Sequence, residues 1–166
     1  MMYHLTTNLI YRSFEMKPVK FLLAMYTFAA LWAVCFGLII DTFIVTDKFI
    51  IPNGGFMSLL LSILIIAPII ETVIFQFLMQ GIFRRGTKNI ITSVLLTAFL
   101  FSASHSLVGI DTVFIVAGLG IVLSLVYEYF RSRINDLAAI FSVIFFHLFW
   151  NGVIGFIIWL DYSHIV

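Results

Sequence analysis

GFMSLLLSILIIAPIIETVIFQFLMQGIFRR, residues 55–85, is a long apolar run with one carboxylate near its middle. A helix rising about 1.5 Å per residue crosses a hydrocarbon core of roughly 30 Å in about 20 residues. The apolar part, Gly55–Phe83, exceeds that length. It therefore tilts, or begins as an interfacial turn after Pro52-Asn53-Gly54-Gly55. Glu71 is the anomaly inside it. A charge held in lipid is costly, and such residues face the interior of a bundle and mark function by default.

Four more apolar runs lie around this one: Phe21–Ile40, Ile90–Val108, Thr112–Phe130 and Leu137–Leu160, each closed by charged residues. The 166-residue chain is 63% hydrophobic and only 10% charged, against about 25% charged in an ordinary soluble domain. The predicted fold is all-α, a polytopic transmembrane bundle of about five membrane-spanning helices. One transmembrane domain covers 21–160, between a cytoplasmic or interfacial segment at 1–20 and a short tail at 161–166. With five spans, Arg12, Lys17, Lys20, Arg84, Arg85, Lys88, Arg131 and Arg133 fall on one side and only Lys48 on the other. The positive-inside rule makes that side cytoplasmic, so the N-terminus is expected inside and the C-terminus outside. No cleavable leader and no C-terminal lipidation motif is read in the sequence. The net charge of +1, with no dense basic patch, points to no nucleic-acid partner. Cys35 has no second cysteine to pair with and reads as a packing residue. Small residues four apart, Ala29/Ala33/Gly37 and Ala98/Ser102/Ser106, are expected to form close helix contacts.

Few polar side chains sit inside the spans. Measured from the basic residue at each cytoplasmic end, at about 1.5 Å per residue, Glu71 lies roughly 20 Å deep, His105 roughly 25 Å, His147 roughly 21 Å and Asn151 roughly 27 Å. Three helices thus place polar groups within one shallow layer. His147 and Asn151 are i,i+4 and share a face, as do Phe101 and His105, and Thr72 and Gln76. A cavity lined by Glu71, His105, His147 and Asn151 has the groups hydrolysis needs. A carboxylate takes a proton from water, an imidazole relays it, and an imidazole or amide N–H stabilises an oxyanion.

APIIETVIFQ (67–76), FSASH (101–105) and HLFWN (147–151) resemble the three motifs of the CAAX-protease and bacteriocin-processing (Abi) family of intramembrane endopeptidases. That pattern is Glu-Glu-x-x-x-Arg, Phe-x-x-x-His and His-x-x-x-Asn, and the resemblance spans about residues 60–158. It implies that Glu71 and His105 activate water and that His147 and Asn151 form the oxyanion site, with Phe101 as the motif phenylalanine. Two positions depart: Thr72 stands for the second Glu and Gln76 for the Arg. Losing both together avoids an orphan charge, and a Thr72–Gln76 hydrogen bond is the expected substitute.

The expected function is therefore metal-independent hydrolysis of peptide bonds in membrane-associated peptides or proteins, in a prokaryotic cell membrane. The alternative is a non-catalytic immunity or scaffold protein on the same fold. A transporter subunit ranks lower, because no inverted repeat is visible. No cofactor is expected. Glu71, His105 and His147 could instead supply three zinc ligands with an open position, but no His-Glu-x-x-His motif accompanies them. Gln80 and Glu128 read as structural, the latter near Arg131 and within reach of the interface. Pro68 is expected to free a backbone carbonyl and bend its helix beside Glu71. His4 and His164 read as ordinary solvated residues, and Trp159 as an interfacial anchor.

Overall fold

A computed structural model describes residues 12–43 and 55–163. Expectations for His4, Lys48, Pro52–Gly54, His164 and residues 1–11 lie outside the described residues. Every described regular element is helical. After a short turn at 12–15 come α1 (Pro18–Phe43), α2 (55–87), α3 (Ile90–Ser104, extended by a 3-10 turn, His105–Leu107), α4 (Ile110–Arg133) and α5 (Asp136–Ser163). All five are long and apolar enough to cross a membrane. The chain is an integral membrane protein built as a polytopic helix bundle, and each helix follows its expected apolar run.

Local chemistry fixes the joints. Lys88 adopts the left-handed conformation, φ 54°, and closes α2 with its N–H on the Arg84 carbonyl. Asn89 caps α3, its Oδ1 accepting from Ile91 and Thr92 N–H at 2.9 and 3.3 Å. Asn135 does the same for α5, accepting from Ala138 N–H at 2.8 Å.

The most enclosed helix is α4, and its glycines explain how its neighbours approach. A Cβ on Gly118 would overlap the Trp32 ring of α1, and one on Gly120 would lie 2.9 Å from Phe101 Cδ1 and 3.2 Å from Ala98 Cα of α3. Trp32 Nε1 then donates to the Phe114 carbonyl at 2.9 Å. The small-residue expectation is met at Ala29, Ala98 and Ser102, which are buried. It fails at Gly37, which has nothing within 4 Å of a would-be Cβ, and at Ser106, exposed on the 3-10 turn. The close contacts are made by α4 instead. Cys35 is exposed on α1 rather than packed inside. Outward-facing residues such as Phe99, Phe145 and Phe149 leave an apolar surface suited to lipid.

One end of the bundle is tied by charge. Glu128 of α4 is fully buried between the helices at the end that carries Arg84 and Arg131. Arg131 NH2 donates to its Oε2 at 2.9 Å, Arg84 Nε lies 3.3 Å from its Oε1, and Gln80 Nε2 donates to Oε1 at 3.2 Å. Tyr129 stacks on Phe21, centroids 3.9 Å apart, and donates to the Met16 carbonyl at 2.6 Å. Arg133 donates to the Phe14 carbonyl. The basic residues that close α2 and α4 thus share one end with the chain entering α1, the arrangement that five spans require. Glu128→Gln is expected to strand two arginines. Because both arginines are partly exposed, the expected loss is about 2 kcal/mol, below the roughly 3–5 typical of a broken buried pair. It should appear as a lower unfolding midpoint in detergent, and an unchanged midpoint would show the cluster to be idle.

Candidate active site

Each expected polar residue is delivered by a different local device. Glu71 ends the α-helical segment Ala67–Glu71 of α2, between two π-helical stretches, Ser62–Ile66 and Thr72–Met79. Such widened turns commonly sit at functional sites. His105 stands where α3 gives way to its 3-10 turn. His147 and Asn151 lie one turn apart on α5.

The geometry brings the four together. Glu71 Oε1 is 3.8 Å from His105 Nε2, and Oε2 is 3.6 Å from His147 Nε2. Each carboxylate oxygen therefore faces one imidazole nitrogen at slightly more than hydrogen-bond length. His105 Nδ1 lies 2.9 Å from the Phe101 carbonyl. A carbonyl only accepts, so Nδ1 carries the proton and Nε2 of a neutral ring turns its lone pair toward Glu71. His147 is 2% exposed and its Nδ1 has no hydrogen-bond partner. Asn151 Nδ2 donates to the Ile63 carbonyl of α2 at 2.9 Å, which fixes which end of the amide is nitrogen.

Phe101 is the wedge that spaces the imidazoles. Its buried ring lies 4.9 Å from that of His105 and 6.0 Å from that of His147. It is held edge-on by Phe75 at 5.5 Å and rests against Gly120. Glu71, Phe101, His105, His147 and Asn151 line one cavity of about 320 Å³, closed by Thr112, Ile115 and Leu119 of α4. Its wall combines polar side chains with apolar surface, as ligand sites do.

Thr72 and Gln76 are not on that wall. Both are fully buried, and neither the Thr72 hydroxyl nor the Gln76 amide finds a hydrogen-bond partner. The expected Thr72–Gln76 bond is not made. Both residues lie in the π-helical stretch Thr72–Met79. Sequence reasoning also missed the Arg84–Glu128 pair and the Asn151–Ile63 bond. The first joins residues 44 apart in the chain and has no local spacing signal; the second uses a backbone carbonyl and leaves no side-chain signature. Among the described residues, no group of three His, Cys, Asp or Glu side chains is arranged to hold a metal ion.

The described helices, each long and apolar enough to cross a membrane, thus hold a carboxylate, two imidazoles and an amide around one cavity. The family model described as Type II CAAX prenyl endopeptidase Rce1-like matches residues 53–153, more than half of the chain, so the protein belongs to that peptidase family. No curated protein and no solved structure matches the chain.

Proposed function

We propose that this chain is a metal-independent intramembrane endopeptidase acting on membrane-associated peptides or proteins. The observation that carries the reading is Glu71, held between two imidazole nitrogens at 3.8 and 3.6 Å on the wall of a partly open cavity between the helices. In this reading Glu71 accepts a proton from a water, whose oxygen attacks the scissile carbonyl carbon. His105, its Nδ1 proton committed to the Phe101 carbonyl, orients that water through Nε2. His147 and the second N–H of Asn151 donate to the oxyanion. Glu71 then returns the proton to the departing amine, the peptide bond breaks, and the carboxylate is restored. The arginine-rich end faces the cytoplasm, following the charge bias of the loops.

The test is digestion of a peptide library by purified protein in detergent. His105→Ala and Asn151→Ala are each expected to lower kcat by about 10²–10³-fold. Elemental analysis after chelator washing checks the metal; retained stoichiometric zinc would overturn the metal-independent mechanism. A non-catalytic immunity or scaffold role is favoured by one observation, the neutral Thr72 and Gln76 in place of the family's charged pair. A wild-type protein that cleaves nothing, yet still protects cells or binds peptide, would establish that role instead.

A further inference from the structure

Pro68 lies three residues before Glu71, buried in α2. Proline has no N–H, and its ring crowds the carbonyl four residues earlier, so the preceding turn must open. It opens as the π-helical stretch Ser62–Ile66, where Ala67 N–H reaches the Ser62 carbonyl, five residues back. The consequence falls on Ile63. In an α-helical register its carbonyl would accept from Ala67, but that N–H is spent on Ser62. In a π register it would accept from residue 68, which is proline. Both of the usual intrahelical donors are therefore removed. A buried carbonyl without a donor is costly, and the donor it finds is Asn151 Nδ2 of α5, at 2.9 Å.

We propose that Pro68 is a positioning residue that acts through Asn151: by releasing the Ile63 carbonyl from the helix ladder, it creates the acceptor that fixes the Asn151 amide in the cavity. The bond sets the amide's orientation, because only the NH2 end satisfies a carbonyl. It leaves one N–H of Asn151 uncommitted. It also ties α2 to α5 by a hydrogen bond, beside the longer approach of Glu71 to His147. The catalytic part of this inference rests on the peptidase reading, in which Asn151 stabilises the oxyanion; the structural part does not.

The experiment is a double-mutant comparison that needs no activity. Thermal unfolding is measured in detergent for the wild type, Pro68→Ala, Asn151→Leu and the double variant. Alanine restores an N–H that competes for the freed carbonyl, and is itself the better helix former. With Asn151 present, Pro68→Ala sacrifices the Asn151 bond; in the Asn151→Leu background there is no bond to lose. Pro68→Ala is therefore expected to be more damaging, by about 2–4 °C in midpoint, in the Asn151 background than in the Asn151→Leu background. Equal effects in both, or the opposite order, would overturn the proposal. Should Asn151→Leu fail to fold, Asn151→Ala serves in the same comparison. On turnover, Pro68→Ala is expected to lower kcat about 10–100-fold with KM little changed. A proline that merely bends the helix would move KM with kcat and show no coupling to Asn151. Coupling in a wild-type protein that cleaves no peptide would refute the peptidase reading and leave the positional link standing. An active enzyme without coupling would refute the link alone.

Discussion

Glu71→Gln is expected to reduce peptide cleavage by at least about 10³-fold while leaving the protein folded. The two halves of that expectation have separate physical grounds. Glutamine keeps the size and shape of the side chain but cannot accept a proton from water at any useful rate. Among the described residues, no other carboxylate lines the cavity, so no neighbour can take over. Stability should survive because Glu71 makes no close bond to either ring: both imidazole nitrogens stand beyond hydrogen-bond length, at 3.8 and 3.6 Å. An amide there exchanges two long contacts for two similar ones and removes a charge from a low-dielectric wall. The measurement is turnover beside the unfolding midpoint of the same preparation. Full turnover in Glu71→Gln would move the chemistry to another group. A collapse of the midpoint together with activity would make Glu71 a structural carboxylate.

The sequence carried the fold because the bilayer imposes a length. Runs of about 20 apolar residues between charged ends leave little choice of element, and the five helices match the five runs to within a few residues at each end. The convergence of Glu71, His105, His147 and Asn151 was legible for a related reason: the rise per residue converts position in the chain into depth. Contacts set by packing or by helix register were not legible. Gly118 and Gly120 admit Trp32 and Phe101, whereas the small residues Gly37 and Ser106 look equivalent in sequence and do nothing comparable. The π-helical stretch Ser62–Ile66 lies just before Pro68, where the missing N–H redistributes the ladder in a way that hydropathy does not record. The same holds for Arg84 and Glu128, far apart in the chain and joined only once α2 and α4 are packed.

Thr72→Glu is expected to be strongly destabilising. Thr72 and Gln76 are both 0% exposed, so a carboxylate at 72 enters a solvent-excluded site where the present polar atoms find no hydrogen-bond partner. An unpaired buried charge of this kind costs about 3–5 kcal/mol, a large fraction of the stability of a chain this size. The single variant should therefore accumulate poorly in membranes and unfold at a much lower midpoint. Gln76→Arg alone should be damaging for the same reason with opposite sign. The double variant is expected to recover at least half of the combined loss, because positions 72 and 76 are i,i+4 on one helix and the two new charges can meet. Recovery has a further source in the present side chains. The Thr72 hydroxyl and both polar atoms of Gln76 are buried without partners, each a standing cost of about 1–3 kcal/mol that a hydrogen-bonded ion pair would remove. Membrane abundance and unfolding midpoint of the four proteins decide the matter. If the double variant is as damaged as the sum of the singles, the two positions are not a coupled pair. Their simultaneous departure from the family pattern would then need a different cause.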